Sequence, residues 1–161
     1  MSAPGKKKSV LFFCLGNICR STMAEGIMRH LVQQKGEAEQ WLIDSAGIGD
    51  WFIGSAPHEY TMKILKKNGI VGYKHTGRQI KREDFNTFDY IFGMDHDNLS
   101  DVESFKPKSP FSAKLKLLGE YDPEKQLVIV DPYFAGTIDG FEQVYEQCYR
   151  CCKNFLESYD K

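Results

Sequence analysis

One segment decides the fold of this chain: Phe13-Cys14-Leu15-Gly16-Asn17-Ile18-Cys19-Arg20-Ser21-Thr22. Before it lies the apolar run Val10 to Phe13, which predicts a buried strand. After it, apolar residues from Met23 to Val32 recur at helical spacing. The segment therefore predicts a strand that ends in a cysteine, a short loop, and a helix that begins near an arginine.

A loop of this kind is suited to bind an anion, because free backbone N–H groups and the helix dipole meet at a helix N-terminus. Gly16 and Asn17 tolerate unusual backbone angles, so the loop amides can surround a tetrahedral oxyanion. Arg20 can bind two of its oxygens at once. We expect Cys14 to be a thiolate beside these positive groups. The Cys-x5-Arg pattern thus predicts a phosphate site with a nucleophile beneath the phosphorus.

Phosphoryl transfer at such a site needs an acid as well as a nucleophile. The amides and Arg20 can stabilise the charge of the transition state, so no metal or cofactor is expected. The leaving oxygen then needs a proton. Asp131, which follows an apolar run and precedes Pro132, is the best candidate, and Asp95 is the second. Ser21 can donate a hydrogen bond to the cysteine sulfur when it leaves as a thiolate.

The length, net charge and composition of the chain limit the kind of protein that it can be. Its 161 residues fit a single domain, 1–161, in which residues 1–8 are predicted to form a mobile basic arm. The net charge of −1 argues against nucleic acid as a partner. No run approaches the roughly 20 apolar residues of a membrane span, so no membrane insertion is expected. Five cysteines without a disulfide framework favour a reducing, cytoplasmic location.

Further strands and helices alternate along the chain. Strands are predicted at 41–46, 90–94 and 113–118, the last at an edge, and helices at 57–69, 81–88, 95–105 and 139–159. Residues 127–130 fit either another strand or an extended lead-in to Asp131. Such alternation predicts a parallel sheet covered by helices on both faces, with the ligand site beyond the carboxyl ends of the strands.

The chain resembles the low-molecular-weight protein tyrosine phosphatases over nearly its whole length. The resemblance is carried by Cys14 to Ser21 together with Asp131-Pro132-Tyr133, and by several shorter segments: 45–47, 50–51, 88–90, 93–95, 117–119 and 148–152. It implies an α/β fold with a four-stranded parallel twisted sheet in flavodoxin-like order 2-1-3-4. It also implies phosphotyrosine proteins and small aryl phosphates as substrates, and a monomer or weak dimer.

The resemblance implies a role for each site residue. Cys14 would take the phosphoryl group, Arg20 would bind it, and Asp131 would act as acid and then as base for the hydrolytic water. The phosphate-binding loop would consist of Leu15, Gly16, Asn17, Ile18, Cys19 and Arg20. A supporting network would consist of Asn17, Ser21, Ser45 and His75. Trp51 and Tyr133 would form walls for the substrate ring, and Cys19 would form a reversible disulfide with Cys14.

Two residues depart from the family pattern, and several alternatives stay open. Thr22 replaces a proline, and Phe134 replaces a second tyrosine, which puts regulation through two adjacent tyrosines in doubt. An arsenate reductase would need relay cysteines, but none lies between Cys19 and Cys148. A phosphate-binding module without catalysis would lack the nucleophile or the acid. Cys148, Cys151 and Cys152 fit the apolar stripe of the last helix better than a zinc site. His30, His58 and His96 receive no role.

Overall fold

The computed structural model describes residues 7–133 and 136–159. Within these ranges the chain forms four strands: β1 (Lys8–Cys14), β2 (Trp41–Gly47), β3 (Tyr90–Gly93) and β4 (Lys114–Leu117). The same ranges contain five α-helices: α1 (Arg20–Gln34), α2 (Glu59–Lys67), α3 (Asp84–Thr87), α4 (His96–Asp101) and α5 (Ile138–Tyr159). Short 3₁₀ turns lie at Ala38–Gln40, Val102–Phe105 and Leu118–Tyr121.

The sheet confirms the predicted topology. All neighbouring strands are parallel, and their order is β2-β1-β3-β4. Every residue of β1 from Val10 to Phe13 is fully buried, as expected for a central strand covered on both faces. At its carboxyl end Cys14 pairs with Gly47 of β2, so the loops that follow these two strands start side by side.

Alternate residues of β1 belong to two apolar clusters on opposite faces of the sheet. Val10 and Phe12 belong to the larger cluster, which includes the inner faces of α1 and α5. Leu11 and Phe13 belong to the smaller one, which includes Phe85 of α3. The two clusters confirm that helices cover both faces, and they hold the carboxyl end of β1 in place from both sides.

Several predicted boundaries are wrong by a few residues. The helix predicted from Pro57 begins at Glu59, because His58 caps it by accepting the Tyr60 N–H at 3.0 Å on its ring nitrogen. The helix predicted for 95–105 is α-helical only to Asp101 and continues as a 3₁₀ turn. The short helix predicted at 81–88 is confined to α3.

Residues 127–130 form no strand, so the second alternative holds. The segment is attached next to the end of β3, because the Ile129 N–H donates to the Met94 carbonyl at 2.8 Å. It leads directly to Asp131. The loop at the end of β3 therefore lies beside the segment that carries the predicted acid.

Lys8 does not belong to a mobile arm, contrary to the prediction for residues 1–8. Lys8 is the first residue of β1, and its ammonium lies over the rings of Trp41 and Tyr159 at 5.6 and 5.3 Å from their centroids. Residues 1–6, and also Phe134, lie outside the described residues. Among the helices that the structure describes, none has the length and apolar character needed to span a bilayer.

Candidate active site

A pocket of about 360 Å³ opens at the carboxyl end of β1. Three segments that are far apart in the sequence converge on it: the loop after β1, the loop after β2, and the segment before α5. Its lining residues are Cys14, Leu15, Gly16, Ile18, Cys19, Arg20, Trp51, Phe52, Asp131 and Tyr133. The pocket thus lies where a parallel sheet places a ligand site.

Asn17 fixes the shape of the loop. Its φ of 59° is left-handed, a conformation that asparagine adopts more readily than most residues. Its side-chain amide donates to the hydroxyls of Ser21 and Ser45 at 2.9 and 3.0 Å. Its side-chain oxygen accepts from His75 Nε2 at 2.7 Å and from the Arg78 N–H at 3.1 Å. All four hydrogen-bonding positions of the amide are therefore used.

Carbonyl groups of the loop are bound by the surrounding scaffold. The Cys14 and Leu15 carbonyls each accept a 2.9 Å hydrogen bond from the segment after β2, and the Ile18 carbonyl accepts the His58 N–H at 2.8 Å. In a planar trans peptide the next N–H lies opposite to the carbonyl. The N–H groups of Leu15, Gly16 and Cys19 consequently face away from these partners, which suits an anion-binding loop.

The sulfur of Cys14 is buried and lies 3.1 Å from Ser21 Oγ. Because Asn17 donates to the same oxygen, the hydroxyl proton of Ser21 can point towards the sulfur. This chain of hydrogen bonds gives a thiolate at Cys14 a donor without any movement of the loop.

Arg20, the first residue of α1, is buried and held from two sides. Its guanidinium donates to Asp95 at 2.6 Å and to the Ile129 carbonyl at 2.8 Å. A second nitrogen lies 3.6 Å from Asp131 Oδ2. Burial alone would lower the pKa of Arg20, but Cys14, Asp95 and Asp131 together raise it above its ordinary value. Arg20 therefore brings a permanent positive charge to the pocket.

The two candidate acids have different surroundings. Asp95 caps α4 by accepting the Asn98 N–H at 2.7 Å and also binds Arg20, so both of its oxygens are engaged. Asp131 accepts the Tyr133 N–H at 3.0 Å, and 24% of its side chain is exposed. Asp131 lines the pocket and Asp95 does not. The geometry gives Asp95 the task of orienting Arg20.

Glu25 supports the loop from within α1, a role that was not predicted from the sequence. It is buried in α1, where its Oε1 accepts from Ser45 at 2.6 Å and from Tyr73 at 2.9 Å and lies 3.1 Å from His75 Nδ1. Burial raises the pKa of its carboxyl, but hydrogen bonds from His75 and Ser45 and the charges of His75 and Arg29 outweigh burial and lower the pKa. A glutamate among apolar helix positions was the available signal.

The Glu25 carboxylate anchors the network around Asn17. His75 and Ser45 each bond both to Glu25 and to Asn17. Among the described residues, Glu25, Asp44 and His75 also have a spacing that a metal ion accepts. Their ligand atoms are already engaged, since Asp44 binds Arg78 at 2.9 Å. These three residues therefore serve to support the loop.

Aromatic rings form the walls of the pocket. Trp51 and Tyr133 are 65% and 44% exposed at its rim. Phe52, which was not singled out from the sequence, has its ring close to the loop at Gly16 and to Tyr133. A Cβ added at Gly16 would come within 3.0 Å of the Phe52 ring, and this ring lies 6.3 Å from that of Tyr133. Only its position next to Trp51 could have drawn attention to Phe52.

The remaining cysteines differ in their surroundings. Cys19 is buried at the floor of the pocket, and burial, with smaller contributions from Cys14 and Asp131, raises the pKa of its thiol. Cys148, Cys151 and Cys152 are fully buried in the larger apolar cluster, which confirms the prediction of core packing. Burial also raises the pKa of each of these thiols.

Comparisons with known proteins agree with this geometry. A family model described as low molecular weight phosphotyrosine protein phosphatase matches residues 9–161. A protein of that name from Rattus norvegicus is 51% identical over 152 residues, which are 93% of this chain and 94% of the relative.

Two solved structures share the fold over nearly the full length of both chains. YfkJ from Bacillus subtilis has a TM-score of 0.88 and 39% identity, with 98% of each chain covered. DARP, a drosophila arginine phosphatase, has a TM-score of 0.86 and 39% identity, with 94% of this chain and 98% of that chain covered.

Proposed function

Because this chain belongs to the low molecular weight phosphotyrosine protein phosphatase family, we propose that it hydrolyses phosphotyrosine in proteins through a cysteinyl-phosphate intermediate. Small aryl phosphates are turned over in the same way. One observation carries the proposal: a single pocket unites the Cys14 sulfur, the buried Arg20, the partly exposed Asp131 and an aromatic rim.

In the first step the Cys14 thiolate attacks the phosphorus in line with the leaving phenolate. An S–P bond forms and the P–O bond to the tyrosine ring breaks. The loop amides and Arg20 stabilise the negative charge on the equatorial oxygens. Asp131 gives its proton to the phenolate oxygen, so the product leaves as neutral tyrosine.

In the second step water hydrolyses the cysteinyl phosphate. Asp131, now a carboxylate, takes a proton from the water while a new P–O bond forms and the S–P bond breaks. The sulfur departs as a thiolate and accepts a hydrogen bond from Ser21, which lies 3.1 Å away. Inorganic phosphate is released, and the starting state is restored. The mechanism uses no cofactor, since Arg20 and the amides supply the positive field.

Asp131 fits the role of acid and base better than Asp95. A general acid must reach the leaving group from the side opposite to the nucleophile and must exchange protons with solvent. Asp131 lines the pocket, whereas Asp95 does not and uses both of its oxygens to bind Arg20 and the Asn98 N–H; the exposed fractions of the two side chains, 24% and 22%, are similar.

Cys19 is proposed as a protective thiol. Peroxide converts the Cys14 thiolate into a sulfenic acid, and Cys19 then displaces water from it to form a disulfide, which a thiol reductant opens again. All five cysteines are free in the structure. A free catalytic thiol suits a reducing compartment, so we place the protein in the cytoplasm, as a monomer or weak dimer that acts on phosphotyrosine proteins.

A second candidate substrate is phosphoarginine. It is favoured by the structural similarity to the drosophila arginine phosphatase. The three rings at the pocket favour a flat aromatic leaving group, which places phosphotyrosine first.

The test compares the turnover of a phosphotyrosine peptide, a phosphoarginine peptide and an alkyl phosphate, with EDTA present and with Cys14→Ser as the control. We expect kcat/KM to be highest for the phosphotyrosine peptide and all turnover to vanish in Cys14→Ser. Preferred turnover of phosphoarginine would reassign the substrate. Unchanged turnover in Cys14→Ser would overturn the mechanism.

A further inference from the structure

We propose that His58 is a positioning residue that holds Tyr133 in place as a wall of the substrate pocket. The inference rests on the proposed function, in which Tyr133 contacts the substrate ring. His58 itself does not line the pocket and would act through Tyr133.

The ring of His58 lies at the junction of three parts of the chain. Its centroid is 6.0 Å from that of Tyr133, and the two rings meet edge to face at 85°. It is 4.7 Å from Phe141 of α5 and 5.2 Å from Tyr60 of α2. Tyr133 therefore has as aromatic neighbours His58 and, with ring centroids 6.3 Å apart, Phe52.

One hydrogen bond of His58 places its backbone, and another orients its ring. Its backbone N–H donates to the Ile18 carbonyl of the phosphate-binding loop at 2.8 Å. Its Nδ1 accepts the Tyr60 N–H at 3.0 Å and thereby caps α2. An accepting Nδ1 means that the ring is neutral and carries its proton on Nε2. Burial favours the neutral ring, because it lowers the pKa of His58. The negative charge of Glu59 has a smaller effect in the opposite direction.

A shift of Tyr133 would reach the catalytic carboxyl as well as the wall. The backbone N–H of Tyr133 donates to Asp131 Oδ1 at 3.0 Å. His58 is thus linked through Tyr133 to Asp131, the group that protonates the phenolate. The phosphate-binding loop, in contrast, is held by Asn17 and its partners and does not depend on the His58 ring.

Two substitutions separate the two tasks of this side chain. His58→Asn retains a side-chain oxygen that can cap α2 but removes the ring. His58→Phe retains a ring but removes the cap. We expect His58→Asn to raise KM by about 2- to 10-fold, the equivalent of one aromatic pair, for an activated aryl phosphate, whose leaving group depends little on Asp131, and to change kcat by less than about 2-fold. His58→Phe should keep KM near that of the wild type and lower the melting temperature.

Inorganic phosphate serves as the control ligand, because it occupies the loop without touching the walls. Its inhibition constant should be the same in His58→Asn and in the wild type. In the Tyr133→Ala background, His58→Asn should raise KM no further, because the residue through which it acts is already gone.

Each contrary result overturns the inference in a recognisable way. Unchanged KM in His58→Asn would remove the positioning role. A raised KM in His58→Phe alone would show that capping matters and not the ring. Weaker phosphate inhibition in His58→Asn, or a further KM increase in the Tyr133→Ala background, would show that His58 acts on the loop. Unchanged KM in Tyr133→Ala would show that Tyr133 is not a wall of the substrate pocket. The phosphatase mechanism is tested separately by Cys14→Ser.

Discussion

The hydroxyl oxygen of Ser21 lies 3.1 Å from the sulfur of Cys14 and at the same time accepts a 2.9 Å hydrogen bond from Asn17. The amide therefore orients the hydroxyl so that its proton is available to the sulfur. In the proposed mechanism this hydroxyl, seven residues along the chain from the nucleophile, stabilises the thiolate that departs in the second step.

Ser21→Ala should slow the hydrolysis of the cysteinyl phosphate, because the departing thiolate loses its donor. Removal of a hydrogen bond to a charged group corresponds to a rate loss of about 10-fold or more. The effect should appear in kcat for an aryl phosphate with a good leaving group, together with accumulation of phosphoenzyme in rapid-quench experiments. Ser112→Ala, at an exposed position, is the matched control. Equal kcat in both variants would contradict the assigned role of Ser21.

Asp131→Asn should affect substrates according to their leaving groups. We expect a loss of roughly 100-fold or more in kcat/KM for a phosphotyrosine peptide, whose phenolate needs a proton, and a smaller loss for an activated phenyl phosphate. A series of substituted phenyl phosphates measures the dependence of rate on leaving-group pKa. The slope should be steeper in Asp131→Asn than in the wild type.

Asp95→Asn is the companion variant for this test. It weakens the partner of Arg20 but leaves the acid in place. It should therefore weaken phosphate binding without a steeper leaving-group dependence. If Asp95→Asn gives the steeper slope and Asp131→Asn does not, the roles of the two carboxylates are reversed.

Glu25 should make stability depend on acid pH. Its folded-state pKa is depressed, so its stabilisation is present above the ordinary glutamate pKa of roughly 4.3 and is lost as the pH falls through the lower folded value. Glu25→Gln should reduce the free energy of unfolding at pH 7 by about 2 kcal/mol and flatten its decline below about pH 4. Urea unfolding at several pH values measures both effects. Glu157→Gln, at an exposed position of α5, should change neither.

Cys19→Ser should reduce recovery from oxidation, with each protein compared with its own untreated rate. Mild peroxide should inactivate both forms, and a thiol reductant should restore the wild type more completely than the variant. Because burial keeps the Cys19 thiol protonated, formation of the disulfide should be slower than formation of the sulfenic acid. Recovery and mass spectrometry of the Cys14–Cys19 peptide are the measurements. Equal recovery of the two proteins would remove the redox role.

Much of the fold was predictable because it depends on local patterns. The buried run before Cys14 and the helical spacing after it sufficed for β1 and α1, and the alternation of strands and helices sufficed for a parallel sheet. Boundaries were less predictable where a side chain competes with propensity. The His58 ring, for example, caps α2 and places its first residue two positions after Pro57.

The amino-acid sequence by itself determined the anion-binding loop, because Cys14, Asn17, Arg20 and Ser21 are close in the chain and their spacing alone brings them together. Distant members of the site such as Asp131 and His75 were expected from the sequence and its family resemblance, but only the tertiary structure decided how distant groups contact the loop. Arg20 reaches Asp95 and Ile129 across 75 and 109 residues, and His75 reaches Asn17 across 58. No local pattern encodes such contacts, since they arise only when the sheet aligns the ends of its strands and the helices pack against it.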